Sequence, residues 1–379
     1  MYIRGRINTF GKKTINLLQV REYFDANYKT TMDNRKNNFD FLRLIFASFV
    51  IITHSYPLSG VPECDFLCQL TNGQVSFSYI GLKGFFVISG YLIFQSLQRS
   101  ENLIEFFWKR LLRLYPALFV VLLLTLLLAP LVYEGNIPFF QNNTVLSYLP
   151  NNLSLYLIQP EITGVFGNNT YKHTINGSLW TIPYEFTMYI SLGLLIFFRK
   201  NEIINKTILI LLFVFLLIGN LFYFEKMMQY KYILSIGQLQ ELGIFFIAGS
   251  IIASLKIEKI KRKKEILLIL TLFVLISIHF EFYNYTRYVT LPILFILFGL
   301  NPISFICEIG NKIGDLSYGI YIYGFLVQQT LMHFFKLNYI ELMIYSLIIS
   351  FILAYFSWHF IEKKAIQFKN ILRPLWKKG

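Results

Sequence analysis

The sequence predicts an all-α, polytopic integral membrane bundle of about ten transmembrane helices, eleven if one weak segment also inserts. Three observations carry this. The chain is 55% hydrophobic and 18% aromatic, with a mean hydropathy of +0.52, well beyond the range of a soluble domain. Apolar runs long enough to cross a bilayer recur along its whole length. Finally, the basic residues alternate: with the N-terminus placed in the cytoplasm, inside segments hold 28 of the 35 Lys and Arg and outside segments hold five. That bias fixes both termini in the cytoplasm.

In order, residues 1–38 form a basic cytoplasmic extension with eight Lys and Arg. Its lack of a long apolar core excludes a cleavable signal peptide. Ile15, Leu18, Tyr23 and Phe24 could line one side of a short interfacial helix. The ten apolar runs lie near 41–57, 79–97, 115–133, 179–198, 206–223, 237–255, 265–280, 286–300, 315–336 and 340–361, the seventh and eighth being short. The stretch 148–158 is interrupted by Pro150, Asn151, Asn152 and Ser154 and reads as re-entrant or interfacial. Residues 39–362 therefore form one transmembrane domain and 363–379 a basic cytoplasmic tail. The net charge of +14 belongs to topology anchors and contacts with membrane lipid, such as "KIEKIKRKK" (256–264), rather than to nucleic acid. Cys64 and Cys68 share the first external loop and could form a disulfide. No cluster of residues suggests a metal.

Four places put polar groups where a membrane helix does not favour them. In "FDFLRLIFASFVIITH" (39–54), Arg43 and His54 are eleven residues apart. They fall on one helix face, roughly 16 Å apart along the axis, and Asp40 is an i, i+3 neighbour of Arg43. In "FFWKRLLRLYPALF" (106–119), Arg110 and Arg113 share a face ahead of the third span. Pro116 is expected to bend the chain there, aiming two guanidiniums suited to phosphate at the bundle mouth. In "NGSLWTIPYEFTMY" (176–189), Ser178, Trp180, Tyr184 and Glu185 enter the fourth span, with Glu185 expected to meet His54 and orient its imidazole. In "GLKGFFVISGYLIF" (81–94), Gly81, Gly84, Ser89 and Gly90 favour close helix packing, whereas Lys83 lacks an explanation. The tyrosines of "GDLSYGIYIYGF" (314–325), Tyr318 among them, could line a carbohydrate cavity.

These segments carry a family likeness. The sequence resembles the acyltransferase-3 family, membrane enzymes that O-acylate carbohydrates and other acceptors. Arg43 and His54, in "NNFDFLRLIFASFVIITHSYPLSG", match its Arg-x10-His signature. "GFFVISGYLI" is similar to its second-helix motif, "RLLRLYP" to its Arg-x-x-Arg element, and "NGSLWTIPYEF" to its Ser-Leu-Trp…Glu element. "LSYGIYIYGFLVQQ" and "WHFIEKKA" resemble its last two helices. The likeness spans about 37–366 with the motifs in order. No SGNH-type segment follows the last helix, which favours a stand-alone type.

The resemblance implies an O-acyltransferase, most simply an O-acetyltransferase, of the bacterial cytoplasmic membrane. Its acyl donor would be cytoplasmic acetyl-CoA. The acceptor would be a cell-surface or lipid-linked glycan such as exopolysaccharide, capsule or lipopolysaccharide. On this reading His54, Glu185 and Arg43 are the catalytic candidates, with His54 either general base or acyl relay. Arg43, Arg110 and Arg113 face the CoA phosphates, and Ser178, Trp180, Tyr184 and Tyr318 the acceptor. The rival is a transporter or flippase of a lipid-linked glycan, against which the lack of internal repeats counts.

Overall fold

The computed structural model describes residues 37–230 and 233–370. The interfacial helix expected within the N-terminal extension, and the tail from 371, lie outside the described residues. Helices begin where short polar side chains can take up the first free amides. Asn102, Asn142, Asn201 and Ser235 each cap one, and Asn338 forms a reciprocal box with Glu341. In chain order the α-helices are α1 (Phe39–Leu58), α2 (Phe66–Leu70), α3 (Phe77–Arg99), α4 (Leu103–Leu128), α5 (Asn143–Leu153), α6 (Ile182–Gly193) and α7 (Glu202–Gln229). There follow α8 (Ile236–Ser254), α9 (Lys263–His279), α10 (Tyr283–Gly299), α11 (Ile309–Ile313), α12 (Ser317–Phe335), α13 (Tyr339–Ser357) and α14 (Lys363–Gln367). Among the described residues there is no sheet, only one isolated antiparallel bridge between Tyr133 and Val165.

Every predicted apolar run is helical. Among the described residues, seven helical stretches are long and apolar enough to cross a membrane: those of α1, α3, α4, α6, α7, α8 and α13, several lengthened by flanking 3₁₀ or π turns. The other three runs differ in length or polarity. Helices α9 and α10 have 17 residues each, and α12, with 19, carries three tyrosines and Gln328–Gln329. Of the weak stretch near 148–158, residues 148–153 end the 11-residue α5, with Pro150 inside it, and 154–158 are not helical.

One local expectation fails. Helix α4 runs unbroken through Pro116 for 26 residues, so Arg110 and Arg113 do not sit on a separate entry helix. A proline removes one backbone bond. In apolar surroundings the remaining bonds favour continuity, and α4 keeps Leu114, Ala117, Leu118, Val121 and Leu122 buried along one face.

Helix α3 is central, packing on α1, α8 and α10, while α12 packs on α1 and α13. The α3–α8 crossing is close because both partners are glycine there. A Cβ on Gly90 would overlap the Phe246 carbonyl oxygen, and one on Gly249 the Val87 carbonyl oxygen; Ser250 Oγ donates across the seam to the Gly90 carbonyl at 3.1 Å. The small-residue stretch at 81–94 is thus a packing surface. In the apolar window of α8, 78% is buried, against 11% in α7. The second is therefore peripheral, showing Leu211, Phe215 and Phe222 to its surroundings.

Candidate active site

The two polar positions of α1 lie towards opposite ends of the bundle. At the Arg43 end, α1, α4 and the turn ahead of α12 converge on Asp315. Arg43 Nη1 and Arg113 Nη2 each donate to the same oxygen, Asp315 Oδ2, at 2.6 Å. Ser317 Oγ donates to the other oxygen at 2.7 Å. The carboxylate thus accepts from two guanidiniums and one hydroxyl. Glu362 comes within 3.8 Å of Arg113 and accepts a hydrogen bond from Ser357 Oγ at 2.9 Å. It closes a π-helical turn, Trp358–Glu362, a distortion that recurs at functional sites. The Trp358 ring lies 5.7 Å from the Arg113 guanidinium.

Arg110 takes a different direction from Arg113. Its Nη2 donates to Ser96 Oγ at 3.2 Å, its guanidinium stands 5.8 Å from the Phe106 ring and 5.9 Å from the Tyr189 ring, and its buried Nε has no hydrogen-bond partner. Among the described residues, Asp315 lies within ion-pair reach of Arg43 and Arg113, and Glu362 of Arg113. Guanidiniums gathered at one end suit a phosphate-bearing ligand.

Glu185 belongs to the Arg110 side. Its Oε1 accepts hydrogen bonds from Ser89 Oγ at 2.9 Å and from the Tyr189 hydroxyl, one turn along the same helix. No hydrogen bond or ion pair joins it to His54, contrary to expectation. Two hydroxyls from α3 and α6 satisfy the carboxylate before it can reach α1. The carboxylate therefore does not fix the tautomer of His54.

His54 is half-buried, set edge-on against Phe325 with ring centroids 5.3 Å apart, and it makes no hydrogen bond with any described residue. Its surroundings are rigid. Gln328 Nε2 donates to the Ile51 carbonyl and to Ser55 Oγ at 2.9 and 2.8 Å, pinning α12 to the last turns of α1. The Asp65 carboxylate takes the Thr53 hydroxyl, the Cys68 amide and the Phe77 amide, tying the end of α1 to a loop that Cys64–Cys68 closes as a disulfide. Phe325 in turn needs Gly177, where a Cβ would come within 2.6 Å of its ring. The imidazole is thus held in place with its ring nitrogens uncommitted, as a proton acceptor for an incoming group requires.

Of the acceptor candidates, Ser178 is buried and its amide is capped by Asn176 Oδ1 at 3.2 Å. The Tyr184 hydroxyl accepts from the Ser235 amide at 3.0 Å, and its ring packs edge-on against Trp180. Tyr318 donates to the Leu114 carbonyl at 3.0 Å and lies 5.9 Å from the Arg113 guanidinium, at the arginine end rather than beside His54. Of the four, only Trp180 is not buried. Sequence reasoning missed Asp315, Glu362, Tyr189, Phe325 and Gln328. The acidic pair did leave a signal, each being a lone carboxylate at a helix boundary of the end that carries the arginines. Among the described residues no group of His, Cys, Asp and Glu could hold a metal ion.

An O-acetyl transferase of Shigella phage Sf6 is 29% identical over 339 residues, covering 87% of this chain and 96% of that protein. Nodulation protein 10 of Rhizobium leguminosarum bv. viciae is 34% identical over 178 residues, covering 42% of this chain and 44% of the relative. No solved structure matches. The family model described as an acyltransferase domain matches residues 36–359, a segment that includes Arg43, His54, Arg110, Arg113 and Glu185. The chain belongs to the acyltransferase-3 family.

Proposed function

We propose that this multi-pass membrane acyltransferase is an O-acetyltransferase moving an acetyl group from cytoplasmic acetyl-CoA to a hydroxyl of a cell-surface or lipid-linked glycan. The bacterial cytoplasmic membrane is its place, with about ten spans and both ends of the chain inside. The observation that carries the reading is the division of labour along α1. A cluster of arginines lies at one end, and an imidazole without a hydrogen bond to any described residue lies roughly 16 Å away on the same helix. A phosphate-bearing donor held at Arg43, Arg110 and Arg113 would have to extend into the bundle to bring its thioester to His54. The glycan would approach from the other end, past Trp180.

In the transfer, His54 takes the proton of the acceptor hydroxyl as its oxygen attacks the thioester carbonyl carbon. The carbon–sulfur bond then breaks, the sulfur leaves with the electron pair, and the imidazolium returns the proton to it. The products are an acetyl ester and free CoA thiol. A positioned base contributes on the order of 10²–10⁴-fold.

The test is transfer of labelled acetyl from acetyl-CoA into envelope glycan, using membranes with wild-type chain or His54→Ala at matched abundance. Label with the wild type and none with the variant supports the reading. Equal label from both removes His54 from the chemistry, and no label from either overturns the donor or the acceptor.

A further inference from the structure

Lys83, which the family resemblance leaves without a role, sits in a second polar centre on the far side of α3 from the arginine site. It is 4% exposed, and its Nζ lies 3.3 Å from Glu241 Oε1 of α8. Arg287 of α10 approaches the same oxygen at 4.0 Å. Among the described residues, neither cation has another carboxylate within ion-pair reach. Lys83, Glu241 and Arg287 all fall in the first two turns of their helices, so the centre lies at one end of the bundle. That end is the one where α1 finishes and carries His54, because the 59–76 loop joins the two.

Aromatic rings and a hydroxyl take up only part of this charge. Both cations lie 5.1 Å from the centre of the Tyr79 ring. Arg287 Nη2 donates to the Tyr288 hydroxyl at 2.8 Å, and that hydroxyl donates to Asn220 Oδ1 at 2.5 Å. Four buried groups able to donate are left without a partner: Arg287 Nε, the Tyr79 and Tyr283 hydroxyls, and Asn220 Nδ2. Two cations share one carboxylate, with spare donors around them. An unmatched charge inside a membrane bundle is costly unless something pairs with it. The centre stands at one end of the close α3–α8 crossing, so it is preorganised and cannot collapse cheaply onto itself.

We infer that the Lys83–Arg287 centre is a second binding site, for an anionic carboxylate or phosphate group entering from the His54 end of the bundle. The acidic group belongs either to a soluble molecule or to a lipid headgroup, two sources with one recognition chemistry. Glu241 is its internal competitor, occupying both cations when the ligand is away. The inference does not depend on acyl transfer, so either can fail without the other.

The test uses the full chain in phosphatidylcholine nanodiscs and follows the thermal unfolding midpoint. Inorganic phosphate is compared with chloride at equal ionic strength, and in a second arm part of the phosphatidylcholine is replaced by phosphatidylglycerol. Phosphate is expected to raise the wild-type midpoint in neutral lipid if the source is soluble; phosphatidylglycerol raises it without phosphate if the source is a headgroup. Lys83→Met abolishes the response and Lys83→Arg keeps it. Glu241→Gln unfolds at lower temperature without the anion and recovers with it, its half-saturating concentration falling at least about tenfold because a competing charge a few ångströms away is gone. The inference is overturned if neither anion shifts the wild type more than chloride does, or if the anion does not restore Glu241→Gln. A closed internal ion pair gives the second outcome. Should Lys83→Met fail to fold, the wild-type and Glu241→Gln arms still decide.

Discussion

Replacing Asp315 by asparagine keeps the side-chain shape and removes the charge that two guanidiniums share. Arg43 and Arg113 each contact Oδ2 at 2.6 Å, and the three side chains are between 13% and 19% exposed. Water therefore compensates little. Removing one member of such a buried pair costs about 3–5 kcal/mol, and here two like charges remain facing each other. Arg113 keeps Glu362 as a weaker partner at 3.8 Å, which places the expected cost near the lower bound. Asp315→Asn should lower the unfolding midpoint of the purified chain by several degrees and raise the donor KM by about two orders of magnitude, the equivalent of roughly 3 kcal/mol. The acceptor KM should change much less. The double variant with Arg43→Gln should cost less than the sum of the two, with a coupling of at least about 1.5 kcal/mol. Unchanged donor KM with a wild-type midpoint, or strictly additive losses in the double variant, would refute the argument that Asp315 holds the two arginines as one unit.

Three further substitutions probe the rest of the site. Gly177→Val forces Phe325 out of its seat, since a bare Cβ already comes within 2.6 Å of that ring; acetyl transfer should fall at least about tenfold with the unfolding midpoint little changed. Glu185→Gln should leave the pH profile of the reaction in place, because Glu185 bonds to Ser89 and Tyr189 rather than to His54; a displaced profile would restore the carboxylate–imidazole pairing. Gly90→Leu places side-chain atoms where the Phe246 carbonyl lies, and should destabilise the chain by at least 1–3 kcal/mol as overpacking does, seen as a loss of folded protein after detergent extraction.

Much of the architecture was legible because a bilayer leaves the chain few choices. Backbone groups with no water must bond within their own helix, so every apolar run near 20 residues became a helix. The small residues at 81–94 became a helix seam. Local spacing also placed Arg43 and His54 on one helix, and brought Arg113 to the mouth where Arg43 lies. What the sequence hid is what lies across the bundle. Nothing in "GDLSYGIYIYGF" says that Asp315, rather than a ligand, receives two of the three arginines, since those partners are separated by 272 and 202 residues. Position along the fourth apolar run leaves open which neighbour Glu185 faces. Glu185 turned towards α3, where Ser89 meets it. Pro116 misled for a related reason: its local preference against helix is weaker than the packing of the face around it.

The division of the polar groups into two sets at opposite ends follows from the cost of burying them. Arg43 and His54 are tied by one helix and held at fixed separation, so any ligand that uses both must span that distance through the bundle. At the arginine end, Asp315 and Glu362 make the guanidiniums tolerable inside the fold. At the other end, His54 has no polar partner among the described residues, and its ring packs edge-on against Phe325. An imidazole bound firmly by a carboxylate would be better oriented, but its second nitrogen would have to serve both orientation and chemistry. Packing orients the ring without consuming either nitrogen. The aromatic neighbour and Gly177, rather than Glu185, therefore occupy the supporting role around His54. That substitution of shape for charge suits a site within a membrane, where each additional ion carries its own desolvation cost.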